Sequence, residues 1–257
     1  MNKLKPVVLI GIILSTVGVI LLVVGAIVGI GQFKNYDKFI EGKINLNEND
    51  YTLEFENSDV YFYDSDEETS YIEYKVFDFY TMEEKSSSVK MTGSKNFLFF
   101  SRYKNSGTVK VFLTEAFNSK SIDLKLNACT LKNDNTLNFK NFILDANASS
   151  IAIKNLNTTS LTNIKLNASS AAFSGNNTES LRFDVNAGSL AIISNFNTLN
   201  FTINAGDVEL VTSGSEQDYT FNVSTSVGST NTTNGGNGSK TVTGNVSVGN
   251  FKMKYVN

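Results

Sequence analysis

The sequence of 257 residues has 22 Lys and Arg against 25 Asp and Glu and a pI of about 5.2, so no basic surface predicts nucleic-acid binding. It contains no His and one Cys, which excludes Ser-His-Asp and Cys-His catalysis and an intrachain disulfide, and argues against a zinc site. It also lacks the glycine motifs that bind nucleotide phosphates. We therefore expect no enzymatic activity, no cofactor and no bound metal.

The first predicted element is a membrane anchor at residues 7–31, which carry no charge. About 20 apolar residues are enough to cross a bilayer core as a helix. The segment is longer than the apolar core of a cleavable signal peptide, and GIGQF after it is a poor cleavage site, so we expect an uncleaved signal anchor. Gly25 and Gly29 form the G-x-x-x-G spacing that lets two such helices pack closely, which is weak support for a homodimer.

Lysines flank both ends of the anchor, so the positive-inside rule does not decide its orientation. Only residues 1–6 precede the anchor, whereas all of the remaining chain follows it. We therefore predict a short cytoplasmic tail at 1–6, a juxtamembrane linker at 32–44 and an extracytoplasmic domain at 45–257. An outside domain without disulfides favours a bacterial envelope, and the predicted location is the cell membrane, spanned once.

The second half of the sequence repeats with a period near 20 residues. Apolar residues stand three and one positions before and four positions after each of five regularly spaced asparagines, and also six positions after all but the first. These asparagines are Asn127, Asn147, Asn167, Asn186 and Asn204. Ser224, in FNVSTSV, is predicted to take the same place in a sixth repeat. Steps of two residues indicate strands with one buried face, and the Asn marks a corner between them. Because two short strands cannot bury an apolar face alone, we predict that rungs of 18–20 residues stack into an all-β solenoid.

The same pattern occurs earlier, because LEFENSDVYF at 53–62 aligns with FTINAGDVEL at 201–210. Near the other end, TTNGGNGSK predicts a flexible loop, and alternating apolar residues from Phe251 to Tyr255 predict a closing strand.

An aromatic block between these repeats is the best candidate for a contact surface. Its members are Phe97, Phe99, Phe100 and Tyr103. The four consecutive apolar residues in FLFF cannot all face one side of a strand, so some must face solvent, a partner or an end of the stack. We favour an end cap over a binding surface, because the terminal rungs of a solenoid need a cover.

Together these motifs resemble the bacterial family of putative adhesins, which has toastrack-type β-solenoid domains. The likeness rests on the anchor, the pattern φ-x-φ-x-x-S/G-D-V-x-φ (φ is an apolar residue), the segment TVKVFLTEAFNSKSIDLKLNA and the serial corners. It covers roughly residues 45–257. Two features depart from the family. Thr114 stands where the family usually has Pro, and Asn stands in several corners where Gly-Asp is commoner. The resemblance implies a right-handed β-solenoid behind a membrane anchor, and it implies no catalytic residues.

Three groups of polar residues each allow two interpretations. The corner asparagines favour a structural ladder over a ligand-binding row. The acidic run Asp64, Asp66, Glu67 and Glu68 favours a solvated hairpin tip over a calcium site. Paired carboxylates are a remote basis for polysaccharide hydrolysis, and the candidates are Asp184, Asp207 and Glu209.

The sequence therefore predicts a membrane-anchored extracytoplasmic β-solenoid that acts as an adhesin or as a structural protein of the envelope. The expected ligand is an envelope glycan or a protein. An envelope-stress sensor that works through a membrane partner is the main alternative, and a carboxylate-dependent polysaccharide enzyme is a remote one.

Overall fold

The computed structural model describes residues 38–47, 49–93 and 107–256, and within these ranges the protein is all-β. The predicted anchor at 7–31, with Gly25 and Gly29, lies outside the described residues. So do the four aromatic residues of the predicted contact surface, Phe97, Phe99, Phe100 and Tyr103. In the part of the chain that is described, no helix is both long enough and apolar enough to cross a membrane.

The chain divides into two compact units. Of the described residues, one unit contains 38–40 and Phe77–Phe79, and the other contains 41–47, 49–76, 80–93 and 107–256. In the first unit the rings of Phe39 and Phe77 lie 4.4 Å apart between centroids, and Phe77 stacks on Phe79 at 5.4 Å.

Eighteen strands and two short 3-10 helices form the described part of the chain. The 3-10 helices are Glu115–Ser119 and Glu216–Asp218. The strands in chain order are β1 Phe39–Leu46, β2 Tyr51–Glu56, β3 Ser58–Asp64, β4 Ser70–Phe77, β5 Thr81–Lys85, β6 Ser88–Thr92, β7 Gly107–Leu113, β8 Ser121–Asn127, β9 Thr130–Asn133, β10 Leu137–Asn147, β11 Ser150–Asn167, β12 Ser170–Asn177, β13 Ser180–Asn195, β14 Thr198–Ser213, β15 Tyr219–Thr225, β16 Ser229–Thr230, β17 Lys240–Val246 and β18 Gly249–Val256.

In the second unit, successive coils of the chain pair in parallel and form two strand layers joined at the corners. The first layer contains the strands before the corners, in the order β6, β2, β8, β10, β11, β13, β14, β17, β15. The second layer contains the strands after the corners, in the order β7, β3, β9, β11, β12, β13, β14, β18, β16. β13 and β14 bend through a corner, and β11 bends through the turn that leads from the second layer back to the first, so all three belong to both layers.

The predicted inward positions are confirmed, because every apolar residue assigned to them in the five asparagine repeats is buried. Large side chains fill the space between the layers. Phe183, Phe201 and Phe251 form a cluster, with centroid distances of 5.2 Å for Phe183 and Phe201 and 4.2 Å for Phe201 and Phe251. Burial of a Leu or Phe side chain contributes about 1.5–3 kcal/mol, so the repeated apolar columns are the main source of stability.

The left-handed residue at four corners is the Ala after the Asn. Ala128, Ala148, Ala168 and Ala187 have φ of 55°, 49°, 48° and 53°. This conformation costs a residue with a side chain roughly 1–2 kcal/mol. It directs the Ala128 N–H at the Asn147 carbonyl of the next coil, at 2.9 Å, and the Ala148 N–H at the Asn167 carbonyl, also at 2.9 Å. The corners are therefore joined by backbone hydrogen bonds as well as by side chains.

The coils do not stack in the order of the chain at either end. The coil of β2 and β3 lies between β6–β7 and β8–β9, although β6 and β7 follow it in sequence. At the other end, β17 pairs with both β14 and β15. Each end of the stack is thus formed by a coil from inside the sequence, and β17–β18 is held on both sides instead of closing the stack.

This order corrects the sixth predicted repeat by two residues. Val223 aligns with Gly244 and Phe201, so the corner that matches Asn204 falls at Ser226 instead of Ser224. A shift of two residues keeps each side chain on the same face of a strand, which is why Val223 is buried as predicted.

Both outer edges of the stack are covered. β5 pairs antiparallel with β6, and β4 pairs antiparallel with β7. At the other end the Asn234 side chain accepts from the Val223 N–H at 2.7 Å and donates to the Val223 carbonyl at 2.9 Å. Asn231 bonds Met253 in the same manner, at 2.8 and 2.7 Å. The segment TTNGGNGSK, predicted to be a flexible loop, is therefore part of an edge cover. The amides of Asn234 within it and of Asn231 just before it replace a neighbouring strand.

Candidate functional site

The predicted corner asparagines lie in one column along the stack. Asn127 and Asn147 are in register, and so are Asn147 and Asn167. The Asn186 side chain donates to Asn167 Oδ1 at 3.0 Å, and the Asn204 side chain donates to Asn186 Oδ1. Side-chain amides therefore connect three coils, and their hydrogen bonds are used within the protein.

A second asparagine ladder runs along the turns after the second layer, where the sequence analysis predicted only polar turns. Asn157 donates to Asn138 at 3.0 Å, Asn177 to Asn157 at 2.9 Å, and Asn195 to Asn177 at 3.0 Å. The Ser213 hydroxyl then donates to Asn195 Oδ1 at 2.6 Å. Spacings close to those of the corner asparagines could have revealed this ladder. The signal is weak because the distance from each corner changes from coil to coil.

A column of small residues two positions after the corner residue contains the only cysteine. Ser58, Ser149 and Ser169 donate to backbone carbonyls two residues earlier, at 2.9, 2.9 and 3.0 Å. Cys129 lies in the same column, and its thiol donates to the Phe55 carbonyl at 3.2 Å. Burial raises the pKa of the Cys129 thiol to about 11, so it is a packed and unreactive group.

The candidate carboxylates do not form one site. Asp184 lies on the outer side of the first layer, whereas Asp207 and Glu209 lie on the outer side of the second. Glu209 accepts from Lys254 at 2.5 Å, and this hydrogen bond lowers the pKa of its carboxyl. Asp207 accepts from the Asn250 amide at 2.6 Å. The last two carboxylates are therefore already engaged by neighbouring side chains.

The acidic run is also divided among separate partners. Asp64 accepts from the Asn135 amide at 2.7 Å, and Glu67 pairs with Lys43 at 2.5 Å. Among the described residues, no group of three His, Cys, Asp or Glu side chains could hold a metal ion.

Four aromatic side chains form a stack on the outer side of the second layer, next to its covered edge. The centroid distances are 4.6 Å for Tyr71 and Phe112, 5.3 Å for Phe112 and Tyr63, and 6.4 Å for Tyr63 and Tyr61. The Lys43 ammonium lies 3.7 Å from the centre of the Tyr71 ring. Burial raises the pKa of Tyr61 and of Tyr71. Because the rings face one another, their edges and phenolic hydroxyls are the parts that a partner can reach.

A shallow trough of about 570 Å³ continues this outer surface along the stack. Its floor has small outward side chains from three coils, and they are Ser150, Ser170, Ala172, Ser189 and Ala191. Ala152 extends the floor next to Lys132 in the neighbouring coil. At the other side Asp207, Glu209 and Lys252 rise above it. We call the aromatic stack and this trough together the outer second-layer surface.

The fold is similar to that of proteins described as putative adhesins. No protein-family model and no curated protein matches the sequence. One similar structure is a putative adhesin from Bacteroides fragilis NCTC 9343, with TM-score 0.58, 13% identity and coverage of 86% of this chain and 99% of that chain. Others are putative adhesins from Parabacteroides distasonis ATCC 8503 (TM-score 0.50, 14% identity, 85% and 97% covered) and Parabacteroides merdae ATCC 43184 (0.50, 12%, 86% and 97%). At these identities the likeness establishes the fold.

The outer side of the first layer carries a row of alternating charges. Lys90 pairs with Glu54 at 2.6 Å, and Lys165 pairs with Asp145 at 3.3 Å. The row in spatial order is Glu83, Lys90, Glu54, Lys125, Asp145, Lys165 and Asp184. Opposite charges directly across neighbouring strands contribute roughly 0.2–1 kcal/mol each, so this row supports the register of the coils.

Proposed function

We propose that this protein is a membrane-anchored, extracytoplasmic binding protein of the adhesin type. Its anchor is residues 7–31, with the N-terminus inside, and its domain is a right-handed β-solenoid. The right hand is supported by the general preference of parallel crossover connections. The similarity in fold to putative adhesins supports the binding role, and the apolar, uncharged sequence of residues 7–31 supports the anchor.

The observation that carries this proposal is the outer second-layer surface. Tyr61, Tyr63 and Phe112 stand outside the core, where aromatic side chains bring no benefit from inward packing. Tyr is enriched in binding surfaces because it combines a large apolar body with a polar tip. Beside the rings, small side chains leave space for an extended partner, and the charged residues at the end of the trough can orient it.

A substitution that fills the trough tests the binding role. Ala172 lies at the centre of the floor and is exposed, so Ala172→Glu adds a charged side chain without disturbing the core. We expect the full-length chain that carries this substitution, in nanodiscs, to lose the retention that the unchanged chain shows on immobilised peptidoglycan or on an array of surface proteins. The matched control is Asn163→Glu, at an outward position of the first layer. Equal retention of both variants and the unchanged protein would refute a role for this surface.

The topology is tested separately on cells that express the full chain. With the N-terminus inside, protease added to intact cells cleaves the domain, and a tag before residue 7 stays protected. Protection of the domain until lysis would contradict the proposed orientation.

A further inference from the structure

A patch of uncharged polar side chains covers the outer side of the first layer at the end opposite the aromatic stack. It consists of nine outward positions on three neighbouring strands. These are Thr198, Asn200 and Thr202 on β14, Thr241, Thr243 and Asn245 on β17, and Thr220, Asn222 and Ser224 on β15. We call this set the polar grid. The charge row ends at β13, so the change from charged to neutral side chains occurs between β13 and β14.

The grid contains hydrogen-bonding groups that the protein does not use. In the described part of the chain, the side chains of Asn200, Asn222, Thr202 and Thr243 form no hydrogen bond with another residue. By contrast, asparagines on neighbouring coils elsewhere bond one another, as Asn177 does with Asn157 at 2.9 Å. In the grid such a ladder cannot form, because Thr243 lies between Asn200 and Asn222 in register.

The grid lines a depression of about 500 Å³ together with Arg182 and Asp184 of β13. Arg182 is exposed, lies in register with Asn200, and makes no ion pair with any described residue. Asp184 lies in register with Thr202. The charges of these two residues balance, so the depression presents planar guanidinium, carboxylate and amide groups beside hydroxyls without net charge.

These features favour one class of ligand. Parallel strands lie about 4.8 Å apart and outward residues along each strand repeat at about 6.6 Å, so the grid offers donors and acceptors at regular intervals in two directions. A neutral polysaccharide presents hydroxyls at regular intervals and no charge. A nucleic acid or an acidic polymer would need an excess of cations, and an apolar peptide would need apolar surface.

We propose that the polar grid is a binding site for a neutral glycan, with Asn200 and Asn222 as the main hydrogen-bonding groups and Arg182 and Asp184 at its border. This proposal assigns a class of ligand to a second surface of the protein. It rests on the proposed function in one respect, which is that an extracytoplasmic domain has access to glycans outside the cell. The site is separate from the outer second-layer surface, so each can fail alone.

The test measures binding of uncharged oligosaccharides of glucose, mannose, galactose and N-acetylglucosamine to the full-length chain in nanodiscs by isothermal titration calorimetry. Removing two hydrogen bonds weakens binding by roughly 5- to 150-fold, and this is the loss expected for Asn200→Ala combined with Asn222→Ala. The matched control is Asn163→Ala, which removes an outward Asn of the same layer from the charged region and should leave the affinity unchanged.

The thermal unfolding of the double variant should match that of the unchanged protein, because exposed side chains without partners contribute little to stability. Binding of acidic oligosaccharides in place of neutral ones would overturn the proposal, as would an equal loss in the control, or no binding of any neutral oligosaccharide. If no neutral oligosaccharide binds while Ala172→Glu still loses retention on peptidoglycan or surface proteins, the glycan site is refuted and the binding role stands.

Discussion

The ring of Phe201 occupies the space beside Gly244 in which a side chain at position 244 would lie. A Cβ atom at this position would be 2.3 Å from Phe201 Cε1 and 2.4 Å from Cδ1 and Cζ. The ring cannot move away easily, since Phe251 lies 4.2 Å from it and Phe183 lies 5.2 Å from it. Gly244→Ala is therefore expected to overpack the core where β17 meets β14.

The size of the effect follows from two opposing contributions. Overpacking costs about 1–3 kcal/mol, whereas replacing Gly by Ala in a strand gains about 0.5–1 kcal/mol in the free energy of unfolding. The difference between these contributions spans about 0–2.5 kcal/mol, and its centre is a net loss of about 1 kcal/mol. In a domain of this size 1 kcal/mol lowers Tm by about 2–4 °C, so thermal unfolding followed by circular dichroism detects it, and urea unfolding gives the free energy.

Gly93→Ala is the matched control, because a Cβ there would meet Asn57 Nδ2 at 3.4 Å and Tyr80 Cζ at 3.5 Å, which are ordinary contacts. It should unfold at the same temperature as the unchanged protein or slightly higher. Phe201→Leu removes Cε1 and Cζ, so Gly244→Ala should cost less in its presence than alone. The reasoning is wrong if Gly244→Ala leaves Tm unchanged, or if the two substitutions are additive.

Three further predictions concern hydrogen bonds and ionisation. Asn177→Asp removes the hydrogen bond that Asn177 donates to Asn157 and should lower the free energy of unfolding by about 1–2 kcal/mol. Asn138 stands at the end of the ladder and only accepts a hydrogen bond, so Asn138→Asp should leave the stability unchanged. Equal urea midpoints of the two variants would contradict this prediction. Cys129→Ser should change the free energy of unfolding by less than about 1 kcal/mol, because serines occupy the same column in other coils. The thiol of the unchanged protein should react with a disulfide reagent only after unfolding, because it is buried. Prompt labelling of the folded protein would refute this burial. Burial raises the pKa of Tyr80 from 10.0 to about 12, so its contribution to the free energy of unfolding is complete below pH 10 and is lost as the pH rises towards 12. Tyr80→Phe should flatten this decline when the free energy of unfolding is measured by chemical denaturation across this pH range. An unchanged decline would show that Tyr80 does not cause it.

The candidate sites differ in how far the sequence could predict them. The corner asparagines were visible because they stand at a constant place in each repeat, between apolar residues that identify the strands. The polar grid was not visible, since Asn200, Thr243 and Asn222 become neighbours only when β17 lies between β14 and β15. The aromatic stack was equally hidden, because Tyr71 and Phe112 meet through an antiparallel pairing that the repeat pattern does not contain.

The sequence by itself determined which side chains face inward. Alternation is a local property of an extended chain, so Leu166 and Val185 could be assigned to the core without knowledge of their neighbours. The tertiary structure decided which coil lies beside which. Coils with the same alternation are interchangeable by pattern, and their order depends on contacts between distant segments, such as the Phe201 ring over Gly244 and the Asn250 amide on Asp207. These contacts have no local signature, because the fit of one side chain against another arises only after the coils have stacked.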